Sequence, residues 1–314
     1  MTGSPSGGAE SPSPPVEMLH HARGERQTLI VEREGAELRL RILSAESTEW
    51  QSRMDLRDPA RLVAPYMQAM MLALLWQPEP SRVHVLGLGG GRIPAFLRRL
   101  FPRLQIDCTE IDRDVYELAV RYFGLRPDAH MNVIIEDGRG FLVSCSPSIR
   151  YDAIFVDAFC GIGGAPLRIS SLEFFAIANE RLTPEGILAV NVIPSDVLAA
   201  ERLRTIECSF RSTYACRGDG TLVAFGTNAE RLVLDDLLLR AVALQTRHQC
   251  EISFPTMARS LGRIDGASSQ PLTDASPPDR VEIPEHLLRS VRPSDPCPCG
   301  SGAVFSQCHG RAGS

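Results

Sequence analysis

From Gln27 to Leu43, apolar and polar residues alternate on either side of Glu34-Gly35, a period of two that suits a β-hairpin better than a helix. Between Leu62 and Trp76 the apolar positions recur at helical spacing. From Arg82 the chain alternates strand and helix repeatedly. Strands are predicted near Arg82 to Leu86, Gln105 to Glu110, Asn132 to Glu136, Tyr151 to Asp157 and Ile187 to Val192. Helices are predicted near Ile93 to Phe101, Asp114 to Tyr122, Ser170 to Leu182, and Ser195 to Phe210, the last capped by Ser195. Such alternation gives a parallel sheet with helices on both faces. Ser212 to Cys216 and Thr221 to Gly226 flank Arg217-Gly218-Asp219-Gly220 as a closing hairpin. The expected fold is α/β: a doubly wound, mostly parallel seven-stranded sheet with an N-terminal β-hairpin.

The punctuation divides the chain further. Residues 1–26 begin in Ser, Gly and Pro with no apolar segment, and read as a disordered leader. Residues 27–81 hold the hairpin and helix, 82–227 the α/β core, and 228–261 a helical extension built on Leu232 to Gln249. Residues 262–296, rich in Pro, Ser and Asp, read as a linker, and 297–310 as a separate small module.

Composition narrows the chemistry. The net charge of −5 is mild and the 33 basic residues are spread out, so nucleic acid and anionic membranes are not expected partners. All of those basic residues are arginine, which excludes Schiff-base and P-loop lysine chemistry. Six of the nine cysteines are scattered singly, unlike a secreted disulfide framework, and the apolar stretch Met67 to Trp76 is too short to span a bilayer. A cytoplasmic location is expected.

The first core strand runs into Gly87-Leu88-Gly89-Gly90-Gly91, just ahead of a helix. Glycines there let backbone amides approach a ligand closely. Glu110 ends the next strand at the spacing from which a carboxylate grips a ribose diol. Glu136-Asp137-Gly138 follows the third strand and Asp157 ends the fourth, so acids collect at the sheet's carboxyl edge, where they suit a cationic ligand better than a phosphate.

Gln51, Tyr66, the glycine loop, Thr109-Glu110-Ile111-Asp112, Glu136-Asp137-Gly138 and Phe155-Val156-Asp157 stand in the order found in the polyamine aminopropyltransferases. The chain resembles a spermidine synthase from about Gln27 to Thr227, on a sheet like that of class I methyltransferases. The resemblance implies a cofactor-binding set of Gln51, Gly87, Gly89, Gly91, Glu110 and Asp137, with Glu110 on the ribose hydroxyls, Asp137 on the adenine amino group and Gln51 near the sulfonium side chain. It implies Asp157 as the catalytic acid-base residue. The co-substrate would be S-adenosylmethionine or its decarboxylated form, and the partner a small-molecule amine or other acceptor. Three departures argue against putrescine: Cys160 replaces a second aspartate, Gly90 replaces a loop aspartate, and Met67 replaces a polar residue. With the loop aspartate gone, Arg92 is expected to meet the carboxylate of unmodified S-adenosylmethionine. Cys160 reads as a plain loop thiol, and the glycines of Gly161-Ile162-Gly163-Gly164 as a mobile gate over the site.

At the C-terminus, Cys297, Cys299, Cys308 and His309 supply three thiolates and an imidazole, one tetrahedral zinc set. So short a segment has almost no core, so the metal would supply its folding energy. It resembles the SEC-C motif of the translocase ATPase SecA. A closed four-ligand site favours docking over catalysis, so a protein partner is expected there, with a homodimer as a further expectation. Two alternatives to an aminopropyltransferase-like enzyme stay open: an S-adenosylmethionine-dependent methyltransferase, and a non-catalytic nucleoside-binding adaptor recruited through its zinc tail.

Overall fold

The computed structural model describes residues 14–24, 26–43, 50–159, 165–218, 220–264, 268–276, 291–295 and 304–307. The N-terminal hairpin is part of a four-stranded antiparallel sheet, β1 (Val16–Arg23), β2 (Thr28–Glu34), β3 (Glu37–Leu43) and β4 (Trp50–Asp55), in the order β1-β2-β3-β4. Strand β1 lies inside the segment expected to be a disordered leader. It forms because the exposed edge of β2 gives its backbone a partner, with Val16 opposite Glu34 and Arg23 opposite Thr28. Leu29, Val31, Leu38, Leu40 and Met54 form the inner face of this sheet.

A short helix α1 (Pro65–Met70) continues into a 3-10 turn, Met71–Leu75, whose five residues are all fully buried. The core follows: β5 (Arg82–Leu86), α2 (Arg92–Leu100), β6 (Gln105–Glu110), α3 (Arg113–Tyr122), β7 (Met131–Ile135), α4 (Gly138–Ser144), β8 (Tyr151–Val156), α5 (Leu172–Arg181), β9 (Leu182–Asn191), α6 (Ala199–Ser209), β10 (Ser212–Gly218) and β11 (Thr221–Thr227). Then come α7 (Leu234–Arg247), α8 (Phe254–Ala258) and β12 (Leu261–Arg263).

The main sheet runs β12-β10-β11-β9-β8-β5-β6-β7. The expected seven strands are present, and β12 pairs antiparallel with β10 as an eighth at the edge. Strands β7, β6, β5, β8 and β9 are parallel, and the β10–β11 hairpin closes the sheet antiparallel to β9. The chain winds outward from β5 through β6 to β7, then returns to β8 on the other side of β5. That reversal opens a crevice above the carboxyl ends of β5 and β8, where ligands of such sheets bind.

One face of the sheet packs on α1, α2, α7 and α8, the other on α5 and α6. The N-terminal sheet packs against α3 through Val115, Leu118 and Phe123. Among the described residues, no helix is long and apolar enough to cross a membrane.

The segment expected to be linker departs from that reading. Beyond β12, Leu272 is fully buried against Leu167 and Leu198, because the chain there buries an apolar residue and satisfies its own backbone on neighbouring helices. Residues 265–267 and 277–290 of that segment lie outside the described residues.

Candidate functional site

Five parallel strands end side by side, and parallel neighbours stand about 4.8 Å apart, so side chains at adjacent tips can share one ligand. In sheet order the tips carry Asp137 after β7, Glu110 on β6, the glycine loop after β5, Asp157 after β8 and Asn191 on β9.

The glycine loop has the backbone its composition allows. Gly87, Gly89 and Gly91 have φ of 92°, 51° and 70°, conformations that L side chains rarely adopt. A Cβ on Gly87 would lie 2.2 Å from the Asp157 carbonyl oxygen, so only glycine lets the loop lie against the tip of β8. The Gly87 amide donates to Thr109 O, that of Leu88 to the Glu110 carboxylate and that of Gly91 to Leu88 O. The Gly89 and Gly90 amides have no acceptor among the described residues, and they sit at the N-terminal end of α2, where an electronegative ligand group is favoured.

Glu110 is buried under this loop. One of its oxygens accepts from the Leu88 amide at 3.0 Å and the other from the Asp112 amide at 3.0 Å. Burial raises its pKa and the amide donors counter it. Each oxygen keeps a lone pair, and a ribose diol offers two hydroxyl donors. Gln51 stands at a bulge in β4: Leu40 pairs with Ser52 and Arg41 with Trp50, leaving Gln51 as the extra residue. Its carbonyl oxygen would lie 3.5 Å from a Cβ on Gly89, so the bulge sets β4 against the loop.

Asp137 caps α4, accepting from the Arg139 amide at 3.3 Å. Its other oxygen pairs with Arg168 at 2.9 Å. Asp157 accepts from the Asn191 side-chain amide at 2.9 Å and from the Tyr66 hydroxyl at 3.3 Å. Both donors are neutral, and no cation among the described residues forms an ion pair with it. Burial pushes its pKa up to about 6, against the lowering effect of Asn191 and Tyr66. Burial also raises the Tyr66 hydroxyl well above the usual range, with the Asp157 charge adding to it, so Tyr66 acts as a donor.

The structure corrects the expectation for Arg92. Its side chain is only 3% exposed, and its guanidinium is spent on the carbonyls of Gly90 (2.9 Å), Pro59 and Phe123 (2.6 Å) and on the Met54 sulfur (3.0 Å). Burial lowers its pKa to about 10. Arg92 therefore ties the loop to the N-terminal sheet and has no donor directed at a ligand carboxylate. The absence of an aspartate at Gly90 has a steric reason as well. A Cβ there would stand 2.5 Å from Ser52 Oγ and 2.8 Å from a Phe123 ring carbon.

Sequence reasoning missed Asn191 and Arg168. Asn191 had a faint signal, a lone polar residue closing the apolar run Ile187 to Val190 at a strand's carboxyl end. Arg168, in a 3-10 turn before α5, had none. Cys160 and residues 161–164 lie outside the described residues, as do Cys297, Cys299, Cys308 and His309. Among the described residues, no group of three or more His, Cys, Asp or Glu could hold a metal. The flanks of the proposed zinc ligands are described: the Phe305 amide donates to Asp295 O at 2.8 Å and that of Ser306 to Pro293 O at 2.9 Å. These bonds hold residues 293–295 against residues 305–306.

Comparison with known proteins agrees with this geometry. A polyamine aminopropyltransferase from Vibrio vulnificus is 28% identical over 200 residues, 63% of this chain and 66% of that protein. The human eEF1A lysine and N-terminal methyltransferase is 31% identical over 180 residues, 52% of this chain and 26% of that protein. A probable spermidine synthase from Corynebacterium glutamicum has the same fold, with a TM-score of 0.66 at 18% identity, over 84% of this chain and 99% of that one. The core shares its fold with that spermidine synthase. It is also similar to human methyltransferase-like protein 13 in complex with SAH, with a TM-score of 0.54 at 27% identity over 59% of this chain and 92% of that one. Residues 294–311 match the SEC-C motif. The chain spans less than two thirds of the length of either curated relative.

Proposed function

We propose that this chain is an adenosyl-sulfonium-dependent transferase that alkylates an amine nitrogen, with Asp157 as its general base. The observation that carries this reading is the Asp157 carboxyl, half-buried at the tip of β8 and held by two neutral donors, with its pKa pushed up to about 6 by desolvation. Above that pH it is a base with no counter-ion beside it among the described residues. The names of the two curated relatives share one chemistry, since a polyamine, a lysine and a protein N-terminus are all acceptors through nitrogen.

Glu110 would hold the ribose diol of the co-substrate, Asp137 the adenine amino group, and the Gly89 and Gly90 amides together with Gln51 the sulfonium-bearing chain. The co-substrate supplies an electrophilic carbon beside a positively charged sulfur. The amine nitrogen forms a bond to that carbon as the carbon–sulfur bond breaks, its electron pair leaving on sulfur as a neutral thioether. Asp157 accepts the nitrogen's proton, and alignment of nitrogen, carbon and sulfur along one line lowers the barrier. Tyr66 and Asn191 each donate to one oxygen of Asp157 and fix its rotamer, and each oxygen keeps a lone pair for the nitrogen's proton.

Both S-adenosylmethionine and its decarboxylated form carry that electrophilic carbon, but only the former offers the Gly89 and Gly90 amides a carboxylate, and a diamine acceptor is disfavoured because Cys160 and Gly90 offer no charge for its far ammonium. We assign zinc to Cys297, Cys299, Cys308 and His309, in a docking knuckle for a protein partner, and the cytoplasm as the place of work.

The test is incubation of the full chain with each labelled co-substrate and a panel of diamines, amino-terminal peptides and lysine peptides. A thioether product formed with at least one amine supports the reading. Retained co-substrate with no product from any amine would turn the chain into a nucleoside-binding adaptor.

A further inference from the structure

The chain returns to the nucleoside site after its last strand. Leu272 donates its amide to Thr205 Oγ1 at 2.8 Å and accepts from the Leu172 amide at 2.8 Å, which pins this stretch between α5 and α6. Two residues on, Asp274 grips Arg139 with both oxygens, at 2.7 and 2.6 Å, and accepts from Ser171 Oγ at 2.6 Å. Its amide donates to Glu173 at 2.9 Å. Arg139, in the first turn of α4, also donates to the carbonyl of Arg168 at 3.0 Å. The Arg168 guanidinium in turn pairs with Asp137 at 2.9 Å. A continuous chain of charge-assisted contacts thus runs Asp274, Arg139, Arg168, Asp137, joining residues that are 137 apart in sequence, from position 137 to position 274.

Each link has a reason to be specific. A planar guanidinium held by both oxygens of one carboxylate has a fixed orientation. With Arg139 so fixed, its remaining donor capacity anchors the backbone of the turn carrying Arg168. Arg168 then holds one oxygen of Asp137, while the Arg139 amide holds the other through the helix cap. The carboxylate plane of Asp137 is set from both sides, and the lone pairs it can offer an exocyclic amino group are set with it.

We propose that Asp274 is a positioning residue for the adenine end of the site, acting through Arg139 and Arg168 on Asp137. This rests on the assignment of Asp137 to the adenine amino group. It also gives the stretch before the zinc tail a role in the nucleoside site: adenine recognition is set partly by chain beyond the last strand.

The test uses the full chain and two nucleosides, S-adenosylhomocysteine and S-inosylhomocysteine, in which a carbonyl replaces the adenine amino group. Calorimetric affinities are measured for the wild type, Asp274→Ala, Arg168→Met and the double variant, with melting temperatures alongside. The wild type is expected to prefer the adenosyl ligand. Asp274→Ala is expected to weaken that ligand about fivefold, as for a mutation along a coupled network, and to change the inosyl ligand much less, so the ratio falls. Arg168→Met, a half-exposed side chain whose loss leaves the fold intact, is expected to lower the ratio by itself, and the double variant to lower it no further. Equal weakening of both ligands by Asp274→Ala, or a ratio unmoved by Arg168→Met, would overturn the proposal. A wild type that binds both ligands alike would remove the Asp137 assignment, and the role of Asp274 with it.

Discussion

Two aspartates of one sheet, Asp107 buried and Asp157 half-buried, have opposite surroundings. Asp107, low on β6, accepts from Tyr151 Oη at 3.0 Å and from Asn132 Nδ2 at 3.0 Å, and it has an arginine, Arg82, at 3.5 Å. Asp157, at the carboxyl tip of β8, has two neutral donors and no counter-charge among the described residues. The first carboxylate is fully partnered and ties β5, β6, β7 and β8 together near their amino ends. The second keeps an open lone pair in a partly desolvated setting that costs free energy, which is what a general base needs. Burial by itself therefore does not mark the functional acid; an unmatched charge does.

Substitutions should separate the two. The largest effect is expected for Asp157→Asn, which should lower turnover about a thousandfold, within the range for losing a general base. Its affinity for the nucleoside should stay within about twofold, because the variant keeps the side chain's shape. Turnover against co-substrate affinity checks this.

Next in size is Asp107→Leu, which leaves the Tyr151 hydroxyl and the Asn132 amide without their acceptor. It should cost about 2–4 kcal/mol of unfolding free energy, measured in urea, while nucleoside affinity is unchanged. A weakened site with stability intact would erase the contrast.

The pH dependence sharpens the comparison most. The folded-state pKa of Asp157 is raised to about 6 from an ordinary value of 3.8. Between those values the folded protein binds more protons than the unfolded chain, so the carboxylate's cost appears as pH rises and is complete above about 6. Asp157→Asn should then gain about 3 kcal/mol at pH 8 and nothing below about pH 3, where both states are protonated. The wild-type rate should rise with pH through about 6 on the same ionisation. Unfolding curves at the two pH values and a pH–rate profile read these out.

Much of this core was legible because burial on both faces gives parallel strands their continuous apolar runs. Strands β5 and β6 lie where the pattern predicts them, and Gly87, Glu110, Asp137 and Asp157 stand in sequence just where such strands end. What was illegible depends on distant partners. Helix α4 contains Gly138 and Gly140, which weaken helix propensity. It forms because Asp137 caps it and because Gly138 can approach Leu86, whose Cγ would lie 2.3 Å from a Cβ there. Arg92 looked like a ligand group because the carbonyls that consume it belong to Pro59 and Phe123, 33 and 31 residues away. Strand β12 and the buried Leu272 fell in a Pro- and Ser-rich stretch whose composition hides a few anchored positions.

The claim beneath all of this is that the carboxyl edge holds an adenosyl group through Glu110. Calorimetric titration of the full chain with S-adenosylhomocysteine tests it most directly. One ligand per chain for the wild type, weakened at least about tenfold by Glu110→Ala as two buried hydrogen bonds are lost, is the expected result. A wild type that binds no adenosyl ligand, or a Glu110→Ala protein that binds as tightly as the wild type, would contradict it.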